Sequence, residues 1–336
     1  MNVRYLTGLA SSNAAVLLPA DGPAVLATDS RYSGTAATLC PDIETVIERG
    51  VEAVLARLAA ERGSRTLAFE AHEMTVERHD DLSRLDERPR WLVPLGRVVE
   101  ELRAVKDDDE IRLIERACEV TGEAFTSVLH LLRPLTTERE VAVAIERAMV
   151  DLGAEAPAFD TIVAAGPNGA IPHHTPGNRP IASGDLVTID CGARLGGYHA
   201  DMTRTVTVGE PASWQREIYE LVARAQAAGV VAATPGAKLA DVDASARDLI
   251  EGAGHGGHFG HGLGHGVGLE IHEAPSIGQD KPGTLTERAA ITIEPGIYVP
   301  GAGGVRIEDT LVVRAGNGAA GEARSLTTVT RELLVL

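Results

Sequence analysis

Aromatic residues are scarce, at 3% of the chain, so Ala, Val, Leu and Gly must do most of the packing. Cysteine is nearly absent. Cys40, Cys118 and Cys191 are odd in number and widely spaced, which excludes a disulfide framework and zinc-finger spacing and makes a reducing cytoplasm the simplest home. Basic residues are outnumbered, 31 Lys and Arg against 48 Asp and Glu, and the net charge of −17 argues against nucleic acid or an anionic membrane as partner. No run of 18 apolar residues exists, and the N-terminus lacks the basic-then-apolar order of a signal peptide. What remains is an ordinary globular composition, 44% apolar over 336 residues, with core enough for one large or two ordinary domains.

Residues 187–205 carry the strongest local signal. β-branched residues flank Leu195-Gly196-Gly197, the composition of two strands and a tight turn. A turn centred on Leu195-Gly196 sets Asp190 directly opposite Asp201, with Cβ atoms about 4.5–5.5 Å apart on one face. Like charges placed so destabilise the sheet unless something compensates them, and a cation does so economically. The alternative is a bulge that shifts the register and leaves both carboxylates in water. A second hairpin weakens that alternative. Residues 291–299 and 305–310 flank Pro300-Gly301-Ala302-Gly303-Gly304, and a turn centred on Gly301 sets Glu294 opposite Glu308. Pro295 cannot donate to a ladder, so its strand bends or lies at an edge there.

The chain around these hairpins reads as α/β. Residues 1–102 suggest a small α/β domain: strands at 13–18, 24–28, 43–47, 65–69 and 90–95, a helix near 52–61, and a linker at 98–105. Arg31 and His72 read as surface or domain-interface groups. Residues 103–336 suggest a second domain. Asp107 and Glu110 have the spacing of a capping box for a long helix, and Thr137 and Glu140 that of a second helix. A strand at 159–164 precedes a polar loop with His173 and His174. After the first hairpin Ser213 is placed to cap a further helix, another follows near 240–251, and the second hairpin comes next. The order helix, helix, hairpin thus occurs twice, a weak internal repeat. Between the second helix pair and its hairpin lies a stretch with five histidines in 18 residues, 255–272. Its glycines would cost about 1 kcal/mol each in a helix, so it is not helical, and they let backbone and ligand come close.

Carboxylates with imidazoles suit Mn²⁺, Co²⁺, Fe²⁺ or Zn²⁺. Four carboxylates against divalent ions point to two metals, which about 3.5 Å apart would acidify a bridging water and polarise a carbonyl. Hydrolysis of an amide or ester is the chemistry this set suits.

Together, Asp190, Asp201, the run Gly264-His265-Gly266-Val267-Gly268-Leu269-Glu270-Ile271-His272-Glu273, Ile293-Glu294-Pro295-Gly296 and Arg306-Ile307-Glu308-Asp309 resemble the metal motifs of the pita-bread metallopeptidases. That family includes Xaa-Pro aminopeptidase, prolidase and methionine aminopeptidase. The resemblance covers essentially the whole chain, with Asn2-Val3-Arg4-Tyr5-Leu6-Thr7-Gly8 similar to a segment of the creatinase-like N-terminal domain. It implies a pita-bread catalytic domain of two pseudo-two-fold helix-helix-hairpin halves behind a creatinase-like α/β domain. In the family a further strand and helix usually precede that segment; here Met1 does, so the N-terminal domain is expected to lack them.

The resemblance also implies roles. Asp190, Asp201, His265, Glu294 and Glu308 would hold two divalent ions, manganese foremost and cobalt, zinc or iron otherwise. Asp201 and Glu308 would bridge them, and Glu294 would also act as general base. His173 would contact substrate near the leaving group, His272 the scissile carbonyl or its oxyanion, and His261 the substrate pocket. Arg306 would bind beside substrate and orient a ligand carboxylate. His174, His199, His255 and His258 default to solvent or packing. An N-terminal domain argues against methionine aminopeptidase, and the full ligand set argues against creatinase and against a non-catalytic peptide-binding protein. The expectation is an Xaa-Pro aminopeptidase, with Xaa-Pro dipeptidase (prolidase) as the alternative. Its partners would be peptides with proline second, and it would form a cytoplasmic homodimer.

Overall fold

The structure, a computed structural model, describes residues 1–85, 91–314 and 322–336. The chain forms two compact units, Met1–Arg103 and Ala104–Leu336. Among the described residues no helix is long and apolar enough to cross a membrane.

In the first unit α1 (Asn2–Thr7) ends at Gly8, whose φ of 74° suits a residue without Cβ. The antiparallel pair β1 (Ala14–Leu17) and β2 (Val25–Thr28) forms as expected. After α2 (Ser33–Leu39), β3 (Glu44–Ile47) joins β2 in parallel. α3 (Val51–Glu61) lays Val51, Leu55 and Ala59 on this sheet. β4 (Leu67–Phe69) and β5 (Leu92–Pro94) make a separate parallel pair on either side of α4 (Val76–Ser83). Position 90 of the expected fifth strand lies outside the described residues. The Arg31 guanidinium is tied to Asp29 by two hydrogen bonds of 2.9 and 2.7 Å, and His72 to Glu100 at 2.8 Å. The expected linker is a helix instead, α5 (Val98–Ala104). Val-Val-Glu-Glu-Leu-Arg-Ala has no Gly or Pro to break it, acidic residues in its first turn and Arg103 in its last, all favourable to the helix dipole.

In the second unit α6 (Asp108–Val128) opens on the expected capping box, Asp107 and Glu110 bonding each other's backbone N–H at 2.7 and 2.8 Å. α7 (Glu138–Asp151) opens likewise on Thr137 and Glu140. Phe125, Ile145 and Met149 from these helices are fully buried in one cluster with residues of β7 (Ile162–Ala165), β8 (Leu186–Cys191) and β11 (Met202–Thr207). Each such side chain contributes about 1.5–3 kcal/mol. The strand expected from 159 starts only at Ile162. β6 (Ala156–Pro157), β9 (Ala193–Leu195) and β10 (Tyr198–His199) form a small sheet at the turn end of the hairpin.

The second half repeats the order. α8 (Ser213–Ala232) and α9 (Leu239–Gly252) pack on β12 (Gly264–Gly266), β14 (Ala290–Ile293), β15 (Gly296–Val299), β16 (Gly303–Arg306) and β17 (Asp309–Arg314). β13 (Glu273–Ile277) and β18 (Glu322–Ser325) flank the five-stranded sheet. Ser213 is the first residue of α8 rather than its cap. Ala212 precedes it as the cap and offers no side-chain acceptor; Gln215 Oε1 accepts the Ala212 N–H at 2.7 Å, the return half of a capping box.

The two hairpin registers came out differently. In the second, Gly296 pairs with Arg306 and Ile293 with Asp309, so Glu294 faces Glu308 as expected. Pro295 breaks the strand, leaving β14 in the five-stranded sheet and β15 in a two-stranded one. In the first hairpin Asp190 faces Thr203, not Asp201. The turn is Gly196-Gly197, with φ of 59° and 85°, closed by Leu195 opposite Tyr198. A turn centred on Leu195-Gly196 would have put a leucine in the left-handed region, which glycine tolerates and leucine does not. The slip is two residues, and side chains alternate with period two, so Asp190 and Asp201 keep a common face as diagonal neighbours.

Candidate metal centre

Both hairpins present their carboxylates to one buried place. Asp190 lies on β8, Asp201 just before β11, Glu294 between β14 and β15, and Glu308 between β16 and β17. Threonines lock the hairpins together. Thr203 Oγ1 donates to Glu308 Oε2 at 2.6 Å, Thr310 Oγ1 to the Asp201 carbonyl at 2.8 Å, and Thr205 Oγ1 to the Arg306 carbonyl at 3.0 Å. These hydroxyls are buried, so each bond also removes the cost of an unpaired polar group.

β12 brings the imidazole. Its alternating glycines let it lie against neighbouring backbone: a Cβ at Gly264 would come within 2.0 Å of the Thr292 carbonyl oxygen, and one at Gly266 within 2.1 Å of that of Ala274. His265 points to the opposite face from those glycines. Its Nδ1 donates to the Gly266 carbonyl at 3.0 Å, which leaves the Nε2 lone pair facing Asp201 Oδ2 and Glu294 Oε1, each at 3.5 Å. Asp201, His265 and Glu308 offer donor atoms that all lie within 4.8 Å of one another.

Charge balance describes the site further. Asp190 Oδ2 accepts from Arg306 Nη2 at 2.7 Å, while Asp190 Oδ1 is buried without a hydrogen-bond partner. Burial and then the neighbouring carboxylates push Asp201 and Glu308 well above the usual carboxylate range, and burial pushes Glu294 up to about 8. Burial takes His265 the other way, down to about 4. One guanidinium against three buried carboxylates and the half-buried Glu294 leaves a deficit of positive charge. Hard oxygen donors, a neutral imidazole turned toward them and an orphaned carboxylate oxygen fit divalent cations.

The deficit has a measurable consequence in metal-free protein. Folded Glu294 holds its proton up to about pH 8, whereas its unfolded value is 4.5. A raised acid favours the fold below the unfolded value, and that advantage is lost as pH climbs toward the folded one. His265 acts oppositely, but only up to its unfolded value of 6.5. Between about pH 7 and 8 the carboxylates therefore decide, at about 1.4 kcal/mol per pH unit for each proton held. Thermal melts of chelator-treated protein should show a midpoint falling from pH 7 to 8, and manganese should abolish the fall. A midpoint that stays level or rises would contradict this charge balance.

The other candidate residues surround this place. The His272 ring stands edge-on to His265, centroids 4.4 Å apart. Burial, and then the neighbouring His173, lower His272. His261 Nδ1 donates to the Gly262 carbonyl and its Nε2 accepts from the Tyr298 hydroxyl, both at 2.8 Å. Tyr298 accepts in turn from Arg306 Nη1 at 2.9 Å. Burial pushes Tyr298 up to about 12 and His261 down to about 4, so phenol and neutral imidazole are the forms that bond. Arg306 is buried, with Nε on Thr203 Oγ1 at 3.0 Å.

Sequence reasoning missed Tyr298, the threonines and His174. His174 Nε2 meets Glu138 Oε2 at 2.9 Å, and Glu138, fully buried, also accepts from Ala165 N, Asn168 Nδ2 and Gly177 N. That clamp holds the loop carrying His173. His199 is a packing residue whose Nδ1 bonds the Gly268 carbonyl at 2.9 Å, and His255 and His258 face each other at 3.1 Å.

Two halves of like order, each offering a carboxylate hairpin to one buried centre, make the second unit a pita-bread domain of the metallopeptidase class. Residues 112–315 match Metallopeptidase family M24 and residues 1–105 match the Creatinase/Prolidase N-terminal domain, and the chain belongs to family M24. It is 48% identical over 237 residues to an Xaa-Pro dipeptidase of Pyrococcus furiosus, covering 70% of this chain and 67% of that one. An Xaa-Pro dipeptidase from Bacillus anthracis is similar at TM-score 0.94 and 36% identity, over 100% of this chain and 92% of that one. An X-Pro aminopeptidase from Thermotoga maritima is similar at TM-score 0.89 and 34% identity, over 99% and 93%.

Proposed function

We propose that this metallopeptidase hydrolyses the Xaa-Pro bond of dipeptides, with Asp190, Asp201, His265, Glu294 and Glu308 holding two divalent ions, manganese foremost. The observation that carries the reading is the convergence of these donors from two hairpins and β12, with His265 Nε2 turned toward Asp201 and Glu294 at 3.5 Å. Bound ions supply Lewis acidity toward a carbonyl and activation of water.

The chain's own residues do the rest. Glu294, half-buried and able to hold a proton, is the general base. His272 donates to the carbonyl oxygen as negative charge develops there. His173 meets the substrate near the leaving nitrogen. Arg306 keeps Asp190 turned inward by its 2.7 Å bond, and Tyr298 links that guanidinium to His261 in the substrate pocket. A proline nitrogen carries no N–H in the peptide, so the leaving group needs a pocket shaped to an imide.

The relatives named Xaa-Pro dipeptidase favour a dipeptide over the longer peptides expected from sequence, and the Thermotoga maritima neighbour keeps aminopeptidase as the second reading. In a dipeptide the proline carboxylate is free. A charge-assisted bond to it is worth about 1.5–3 kcal/mol, or about 10- to 150-fold. Comparison of kcat/KM for an Xaa-Pro dipeptide and its Xaa-Pro-Xaa tripeptide should favour the dipeptide by that factor. Preference for the tripeptide would make the enzyme an aminopeptidase.

A further inference from the structure

Lys106 and Glu273 form an ion pair almost wholly out of water. Nζ and Oε2 are 3.0 Å apart, and the side chains are 1% and 5% exposed. Taking two charges out of water is costly, and an apolar pair of the same volume is often as stable, so stability alone is a weak reason for this one. What the pair holds is more informative. The other oxygen of Glu273, Oε1, accepts the backbone N–H of Glu270 at 3.0 Å, closing the loop from 270 to 273 on its own side chain. Gly268 makes room for that carboxylate: a Cβ there would lie 2.7 Å from Glu273 Oε2. The Gly268 carbonyl is held in turn by His199, through its backbone N–H and its Nδ1, both at 2.9 Å.

Lys106 is itself anchored. Its N–H donates to the Arg288 carbonyl at 3.0 Å, and Arg288 Nε donates to the Lys106 carbonyl at 2.6 Å. The next residue, Asp107, caps α6. The loop fastened to this anchor carries His272, whose ring stands 4.4 Å from that of His265. We propose that Lys106 and Glu273 are positioning residues that fix the His272 imidazole over the metal centre. The proposal rests on the reading of His272 as the group that meets the substrate carbonyl.

The test is a double-mutant cycle. Lys106→Met and Glu273→Gln are made alone and in the His272→Ala background, with kcat and KM measured on an Xaa-Pro dipeptide and manganese content determined. Misplacing a reacting group by about 1 Å costs about 10²-fold, so Lys106→Met should lose about that factor in kcat with metal content unchanged. In His272→Ala, which has no imidazole left to misplace, the same change should cost no further kcat. Glu273→Gln keeps the shape but only one acceptor oxygen, so it loses the charge and either the Lys106 or the Glu270 bond; its loss should follow the same pattern, and it carries the cycle if Lys106→Met does not fold. A second readout needs no turnover. In metal-free protein the His272 Cε1–H resonance, identified by its absence in His272→Ala, should move in both single variants. Equal losses in both backgrounds, or an unmoved resonance, would overturn the proposal. Unchanged turnover in His272→Ala would instead sink the reading of His272, while the resonance would still decide whether the pair positions the ring.

Discussion

Asp201→Asn should lose turnover by about 10³-fold or more while the fold survives. The substitution keeps the side chain's size but removes one of four carboxylates, and a site short of charge for two cations forfeits several kcal/mol of Lewis-acid stabilisation. The bonds that place residue 201 are made by its backbone: its N–H donates to Thr310 Oγ1 and its carbonyl accepts from the same hydroxyl. Neither is touched. In metal-free protein the loss of a like charge beside Glu308 and Asp190 should leave the melting midpoint at pH 8 at or above that of the wild type. Near-normal turnover in the variant would show that the two hairpins do not make a shared cation site.

Glu294→Gln should separate proton transfer from metal binding. Gln keeps an oxygen for a cation and the hydrogen bond from Thr292 Oγ1, but it cannot take a proton. A general base contributes about 10²–10⁴-fold, so kcat should fall by that range under saturating manganese, with a smaller change in the manganese concentration needed. The wild-type profile should rise from acid to a plateau near neutral or mildly alkaline pH. Recovery of the variant's turnover in excess manganese would make Glu294 a ligand only, and the proton would then pass to Glu308 or to solvent.

The legibility of this site followed the range of the interaction concerned. The second hairpin could be read in register because Pro300 to Gly304 mark a loop with one plausible centre, and Glu294 duly faces Glu308. The first was read two residues out because three residues compete for its turn, and only the demand for positive φ at both central positions selects Gly196-Gly197 over Leu195-Gly196. The common face of Asp190 and Asp201 survived because the error was even. The capping boxes at Asp107 and Thr137 are local and were legible. The segment Val98–Ala104 is a helix rather than a linker, and its Glu, Leu, Arg and Ala are good helix formers behind two valines that are not. Contacts across the chain left no local trace. Lys106 and Glu273 are 167 positions apart, Thr203 and Glu308 are 105 apart, and the Glu138 clamp on His174 spans 36. No pattern of neighbours could announce them.

If the hairpins form one shared site, a single chain holds two divalent ions between them, and the ions can be counted. Chelator-treated wild type and Asp201→Asn are dialysed side by side against manganese at pH 8, and the metal per chain is measured. The wild type should hold two ions and the variant at most one. A wild type that binds none, or two ions in both proteins, would contradict a shared site.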